Sequence, residues 1–262
     1  MTKVPNNTGN SGTFSDQVRR WHYDFRTTLS QHAFPYLPLK RWEYGRYKQK
    51  FGLDTEVEGI RWGVVRSATD VAIEGYPRSG NTFASVAFRY AQPEPIRMAY
   101  RLHAPIQLIE AIRRGIPAIV LVRNPEDAVL SWVIHRPHLT IRQALEGYVR
   151  FYRRSLPYLD GMVVSEFNTT VSNYGQVIRA VNEKFGTQFV EFDHTKENVK
   201  RCFDIIDEFY RKAGAGEVPE QIVARPSENR QQKKEQLRNQ FHVDSLEELR
   251  KEAFNLYEKF VS

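Results

Sequence analysis

A single cysteine, Cys202, stands among 262 residues, so the chain can form no internal disulfide. That excludes a secreted fold stapled by bridges and is compatible with a reducing compartment. Long apolar runs are equally scarce. None approaches the ~20 residues that cross a bilayer, and the opening MTKVPNNTGNSGTF carries no hydrophobic block of a signal peptide. These absences lead to the expectation of a cytoplasmic protein with no transmembrane segment. Zinc-ligand spacings, aromatic strand motifs and long basic tracts are also missing, which argues against a nucleic-acid partner. Basic residues outnumber acidic ones only 38 to 31, an excess that attracts an anionic ligand, acceptor or surface.

What the chain does contain is enough apolar surface for one core, with 41% hydrophobic and 26% charged residues in a length suited to one α/β domain. Residues 1–14, polar and rich in Gly and Asn, read as a disordered leader, and 15–262 as the domain. The organising stretch is residues 71–85, VAIEGYPRSGNTFAS. Val71, Ala72 and Ile73 read as a buried strand, Gly75 to Gly80 as a turn, and Thr82 onward as the start of a helix. Such a turn points backbone N–H groups inward, in front of the positive end of a helix dipole, where they hold anionic oxygens.

The spacing from Gly75 to Gly80 to Thr82 is that of a nucleotide P-loop, yet Asn81 stands where the phosphate-binding lysine belongs. The best second strand, Ala118 to Val122, ends in Arg123 instead of the carboxylate that would hold magnesium. Two parts of a metal-dependent site are absent and two cations, Arg78 and Arg123, are added. The pattern points to a multiply charged phosphate neutralised by arginine, without a metal.

Those same residues carry a resemblance. PRSGNTF resembles the PKSGTTW loop of the sulfotransferases that use phosphoadenosine phosphosulfate (PAPS), and Arg123 to Ser131, RNPEDAVLS, is similar to the RNPKDVAVS segment with which that family binds the ribose phosphate. Arg101 to Pro105, RLHAP, is similar to KTHLP of the cytosolic branch, whose histidine is the catalytic base. The likeness spans roughly residues 71 to 135 and continues more loosely from Val163 to Phe189. There Glu166 falls at the glutamate of the family's YED segment, with Ser165 in place of the tyrosine.

The resemblance implies an α/β fold in one domain, a mostly parallel central sheet flanked by helices, of the P-loop NTPase-like sulfotransferase kind. It implies PAPS as cofactor, adenosine 3′,5′-bisphosphate (PAP) as product, and no metal. Backbone N–H groups of Ser79, Gly80, Asn81 and Thr82, with the Asn81 and Thr82 side chains, would hold the 5′-phosphate. Arg78 would neutralise the bridging oxygen and the sulfonate, while Arg123 and Ser131 would select the ribose phosphate. His103 is the expected general base, with His135 and His138 as alternatives. Phe83 replaces a tryptophan that stacks on adenine, and either stacks there or simply packs its helix. A basic loop, Arg225 to Lys234, would close the nucleotide site, with Arg230 favoured over Arg225.

Around this centre the periodicities predict helices at 15–29 (capped by Ser15, burying Val18, Trp21, Phe25 and Leu29), 105–114, 125 onward, 141–156, 171–185, 196–212 and 246–260, with strands at 95–100, 162–165 and 189–192. The aromatic and basic segment from 15 to 47 has a second reading, as a surface for a membrane or an acceptor. The function expected is sulfuryl transfer from PAPS to an acceptor hydroxyl on a glycan, a lipid headgroup or a small alcohol or phenol. Glycans are preferred because basic side chains can steer an anionic polymer. The alternatives are a P-loop kinase and a non-catalytic nucleotide- or glycan-binding protein.

Overall fold

Short, mainly aliphatic runs form strands that are covered on both faces, and four of them build the sheet of this protein. In the computed structural model, which describes residues 13–51, 62–214 and 228–262, they are β1 (Val71–Gly75), β2 (Met98–Tyr100), β3 (Ala118–Val122) and β4 (Val163–Glu166). All neighbours pair in parallel in the order β2-β1-β3-β4. The helices are α1 (Phe14–Leu29), α2 (Ala33–Phe51), α3 (Asn81–Ala91), α4 (Pro105–Arg113), α5 (Pro125–His135), α6 (Ile141–Ser155), α7 (Phe167–Ser172), α8 (Tyr174–Phe185), α9 (Lys196–Gly214), α10 (Glu228–Phe241) and α11 (Glu247–Val261).

Alternation along the strands sends successive side chains to opposite faces. Val71, Ile73, Ile119 and Leu121 enter one apolar cluster with Phe88 of α3, Ile178 of α8 and Ile206 of α9. Ala72, Val120 and Val122 enter a second with Leu108 of α4, Tyr148 of α6 and Leu256 of α11. The α/β class with a parallel sheet flanked by helices is therefore the one expected. Because β2 lies on one side of β1 and β3 on the other, the strand order reverses between β1 and β3. In such sheets the crevice at the carboxyl ends of those two strands is where ligands bind, and the loops after Gly75 and Val122 open there. Among the described residues no helix is long and apolar enough to cross a membrane.

Several elements differ from the sequence reading. Thr13, not Ser15, caps α1. The stripe expected to be buried lies outside, with Val18, Trp21 and Phe25 exposed and only Leu29 partly covered. The helix docks instead through its polar side. Arg20 Nε donates to His138 O (2.6 Å) and Gln143 Nε2 donates to Asp24 Oδ2 (2.7 Å), while Tyr23 is buried against α6 at Gly147, where any Cβ would collide with its hydroxyl.

The helix predicted over 171–185 is two, broken at Asn173. His194 is the cause: its Nδ1 accepts the Tyr174 N–H (3.2 Å) and its Nε2 bonds Val171 O (2.8 Å), satisfying both broken ends. Residues 189–192 pair with no strand among the described residues. Side-chain amides take their backbone groups, Asn182 bonding Phe189 and Gln92 bonding Val190 in both directions. The expected basic loop after Arg225 is helical from Glu228, and Lys234 and Arg238 of α10 pair with Asp127 and Glu126 of α5.

Candidate functional site

The loop after β1 turns at Gly80, whose φ of 89° is open to glycine and costly for other residues. Gly80 is also the N-cap of α3 and offers no side chain to its first N–H groups, which have no acceptor within the helix. An anion supplied from outside would satisfy them. Asn81 Nδ2 donates to Tyr76 O (3.0 Å), so this amide also braces the turn while the residue lines the pocket. Ser79 is likewise drawn inward: its N–H bonds Tyr76 O (3.2 Å) and its hydroxyl lies 3.5 Å from Tyr152 Oη. The donors left from the expected phosphate cradle are those around Gly80 and Thr82.

The second motif meets the first directly. Arg123, at the end of β3, donates from Nη1 to Arg78 O (2.9 Å), and Arg78 Nε donates to Ser131 Oγ (3.0 Å) on α5. Three residues separated by up to 53 positions thus share one point of the sheet edge. The Arg123 guanidinium lies 3.8 Å from the centre of the Phe167 ring, and burial draws its pKa down, with only Asp127 opposing. Its neighbours in sequence do not take it as an ion pair. Glu126 is bonded to Arg238 and His242, and Asp127 to Lys234. A cation held this way, desolvated and without a contacting carboxylate among the described residues, is matched to an anion.

The third motif is fixed by a residue outside all three. Glu74 of β1 is fully buried; it accepts the N–H groups of Leu102 (2.7 Å) and His103 (2.9 Å) and the amide of Gln107 (2.7 Å). Gln107 in turn donates to Gly63 O and accepts from Val65 N–H. The clamp holds a strained loop: Arg101 and His103 have φ of 60° and 53°, and with Arg78 at 71° they are the non-glycine residues of positive φ among those described. Such conformations cost about 1–3 kcal/mol each and gather at functional sites. Glu74 had one signal in the sequence, a carboxylate inside an apolar strand.

His103 Nδ1 lies 2.9 Å from Gly75 O, a carbonyl that can only accept, so Nδ1 carries the proton and Nε2 keeps its lone pair. Burial pushes the imidazole pKa down to about 3, assisted by the charges of Arg101, Arg26 and His135 and opposed by the Gly75 hydrogen bond. The ring is therefore neutral at physiological pH and able to take a proton at Nε2.

One pocket of about 140 Å³ gathers Arg78, Gly80, Asn81, Thr82, Phe83, Arg101, His103 and Arg123, and no carboxylate is among its described lining residues. Ser131 reaches it through Arg78. His135 joins the lining, stacked on Trp132 at 5.3 Å, whereas His138 lies in the adjoining cleft. Phe83 packs against Phe192, His194 and Phe203 and at the same time lines the pocket. Phe167, Phe203 and Tyr210 also line the pocket and carried no sequence signal. Arg230 falls in the first turn of α10, with its side chain outside the described residues, and Arg225 lies outside them altogether.

Comparison with solved structures finds likenesses of fold. The chain is similar to a mouse sulfotransferase, SULT7A1, crystallised in complex with PAP, at 12% sequence identity and a TM-score of 0.41, over 72% of this chain and 90% of that one. No protein-family model matches the sequence, and no curated protein does.

Proposed function

We propose that this protein is a PAPS-dependent sulfotransferase that acts on an acceptor hydroxyl, with His103 as the general base. The observation that carries the reading is the junction of two motifs far apart in sequence, Arg123 on Arg78 O and Arg78 on Ser131, beside an uncapped helix N-terminus. PAPS, when bound, supplies a sulfuryl group whose S–O bond to the nucleotide phosphate breaks as the acceptor oxygen bonds sulfur, the electron pair staying on the phosphate.

The chain's own groups answer each need of such a transfer. The N–H groups at the start of α3 hold phosphate oxygens. Arg78 would offset the charge that gathers on the leaving oxygen. Arg123 and Ser131 would hold the ribose phosphate. His103 Nε2 receives the acceptor's hydroxyl proton, and Nδ1, tied to Gly75 O, keeps the ring in the tautomer that can do this. Burial is the main cause of the low His103 pKa; the smaller contribution of the Arg101 charge, in the same pocket, is what bound phosphate would offset. A kinase reading needs a carboxylate for magnesium, which the described pocket lining does not offer.

Calorimetric titration with PAP, against ADP plus magnesium, tests the assignment. PAP should bind selectively, and Arg123→Ala should weaken it on the order of 10- to 100-fold, the worth of one or two charge-assisted hydrogen bonds. Tighter binding of ADP with magnesium sinks the reading. His103→Ala then separates enzyme from binding protein: PAP binding held with transfer reduced by about 10²-fold or more supports the base, and unchanged transfer removes it.

A further inference from the structure

A second cavity adjoins the first, and its chemistry says what kind of acceptor it suits. It measures about 720 Å³, lies between α1 and the turn joining α5 to α6, and shares Trp132 and His135 with the nucleotide pocket. Its walls carry Arg19, Arg26 and Arg136 together with His22, His135 and His138.

Neither Arg19, Arg26 nor Arg136 makes an ion pair among the described residues, although carboxylates are near. Asp24, on the same helix, is taken by Gln143 and Arg150, and Asp16 acts on His138. Arg26 and Arg136 instead feel each other's charge, and Arg136 rests over the Trp132 ring at 5.6 Å. Like charges left together without a counter-ion are costly, and an anion between them relieves the repulsion. The Arg26 charge also reaches His103, so the cationic cleft and the base are electrostatically in range of each other.

We propose that the acceptor occupies this cleft and is itself anionic, bearing a carboxylate, sulfate or phosphate near the hydroxyl to be modified. The proposal rests on the sulfotransferase reading of the adjoining pocket. Arg26 and Arg136 bind the anionic group, which sets the neighbouring hydroxyl toward His103. The apolar floor of Trp132 and Leu139 takes the uncharged part of the acceptor.

The test uses the full chain and two matched pairs of probes, N-acetylglucosamine 6-sulfate with N-acetylglucosamine, and inositol 1-phosphate with inositol. Binding is measured by calorimetry with and without PAP, and again in an Arg26→Gln/Arg136→Gln double variant whose thermal midpoint is checked. At least one charged probe should bind tenfold or more tightly than its neutral partner, with an affinity that falls as salt is raised. The double variant should lose that preference while PAP affinity changes less than twofold. Which pair shows the effect tells a sugar-borne sulfate from an inositol phosphate headgroup. Equal affinity for charged and neutral probes, binding of neither charged probe, or a preference that survives in the double variant overturns the proposal. Failure of PAP to bind the wild type refutes the nucleotide reading separately, because the probe preference is read without PAP as well.

Discussion

Glu74 places a pH dependence in the stability of the protein that can be worked out from its surroundings. Burial raises its pKa from 4.5 to about 8, against the lowering effect of the Leu102, His103 and Gln107 hydrogen bonds. The folded state therefore keeps a proton that the unfolded chain has released. Its contribution is fully present below pH 4.5 and is lost as pH rises through 8. His103 acts with the opposite sign, because its folded pKa is depressed from 6.5 to about 3, so stability is lost as pH falls below 6.5. Between pH 4.5 and 6.5 the two slopes oppose each other, and the clean window for Glu74 is pH 6.5 to 8. One bound proton corresponds to about 1.36 kcal/mol per pH unit, which integrates to roughly 1.5 to 2 kcal/mol lost across that window.

Urea unfolding at pH 6.5, 7, 7.5 and 8 measures this in the wild type and in Glu74→Gln. Glutamine keeps an acceptor for Leu102 and Gln107 and turns an amide donor toward the His103 N–H. It should cost about 1–3 kcal/mol at pH 6.5, the penalty of one buried donor left unpaired. The cost should shrink toward pH 8, since the variant lacks the titrating group. A wild type as flat as the variant across this window would refute the reasoning: it would mean that the three donors hold Glu74 ionised with an ordinary carboxylate pKa. Because Glu74 fixes the His103 backbone without facing the pocket, the variant should also lose transfer rate while retaining PAP affinity.

Gly147→Ala drives a methyl group into the Tyr23 hydroxyl and should lower unfolding free energy by about 1–3 kcal/mol. Tyr23→Phe, added to it, should recover part of that loss, and an additive loss would mean that α1 is not seated as described. Trp21→Ser and Phe25→Ser lie on the exposed face of α1 and should each change stability by less than about 0.5 kcal/mol; a loss of several kcal/mol would return that face to the core. For His103, nitrogen-detected NMR should report a proton on Nδ1, and its pKa should rise when PAP is added. An unmoved pKa would show that the nucleotide charges are not near the imidazole.

Much of the site was legible because its parts are local. A strand, a glycine turn and a helix start lie within residues 71–85, and β3 with Arg123 and the Asn124 cap of α5 lie within 118–127. Local patterns also place both loops on one edge once the strands are parallel. The finer roles depended on neighbours that no local pattern names. Ser79 looks like a ligand donor by position, yet its N–H bonds Tyr76 O and its hydroxyl faces Tyr152, and the Asn81 amide also bonds Tyr76 O, because the turn has its own hydrogen bonds to complete.

The misreading of α1 has the same origin. Val18, Trp21, Phe25 and Leu29 form a helical apolar stripe, and burial is the cheapest fate for such a face when nothing else competes. Here something does compete. Tyr23 fits over Gly147, Asp24 meets Gln143 and Arg150, and Arg20 reaches His138 O, so the polar side of the helix has specific partners on α6 and on the turn before it. The docking that exposes Trp21 and Phe25 is also what brings Arg19, His22 and Arg26 into the wall of the cleft that adjoins the Arg78–Arg123 pocket. A helix seated by its stripe would rotate those cations away. The orientation least expected from hydrophobicity alone is therefore the one that furnishes a charged cleft sharing Trp132 and His135 with the pocket of His103, and the exposed stripe is its consequence.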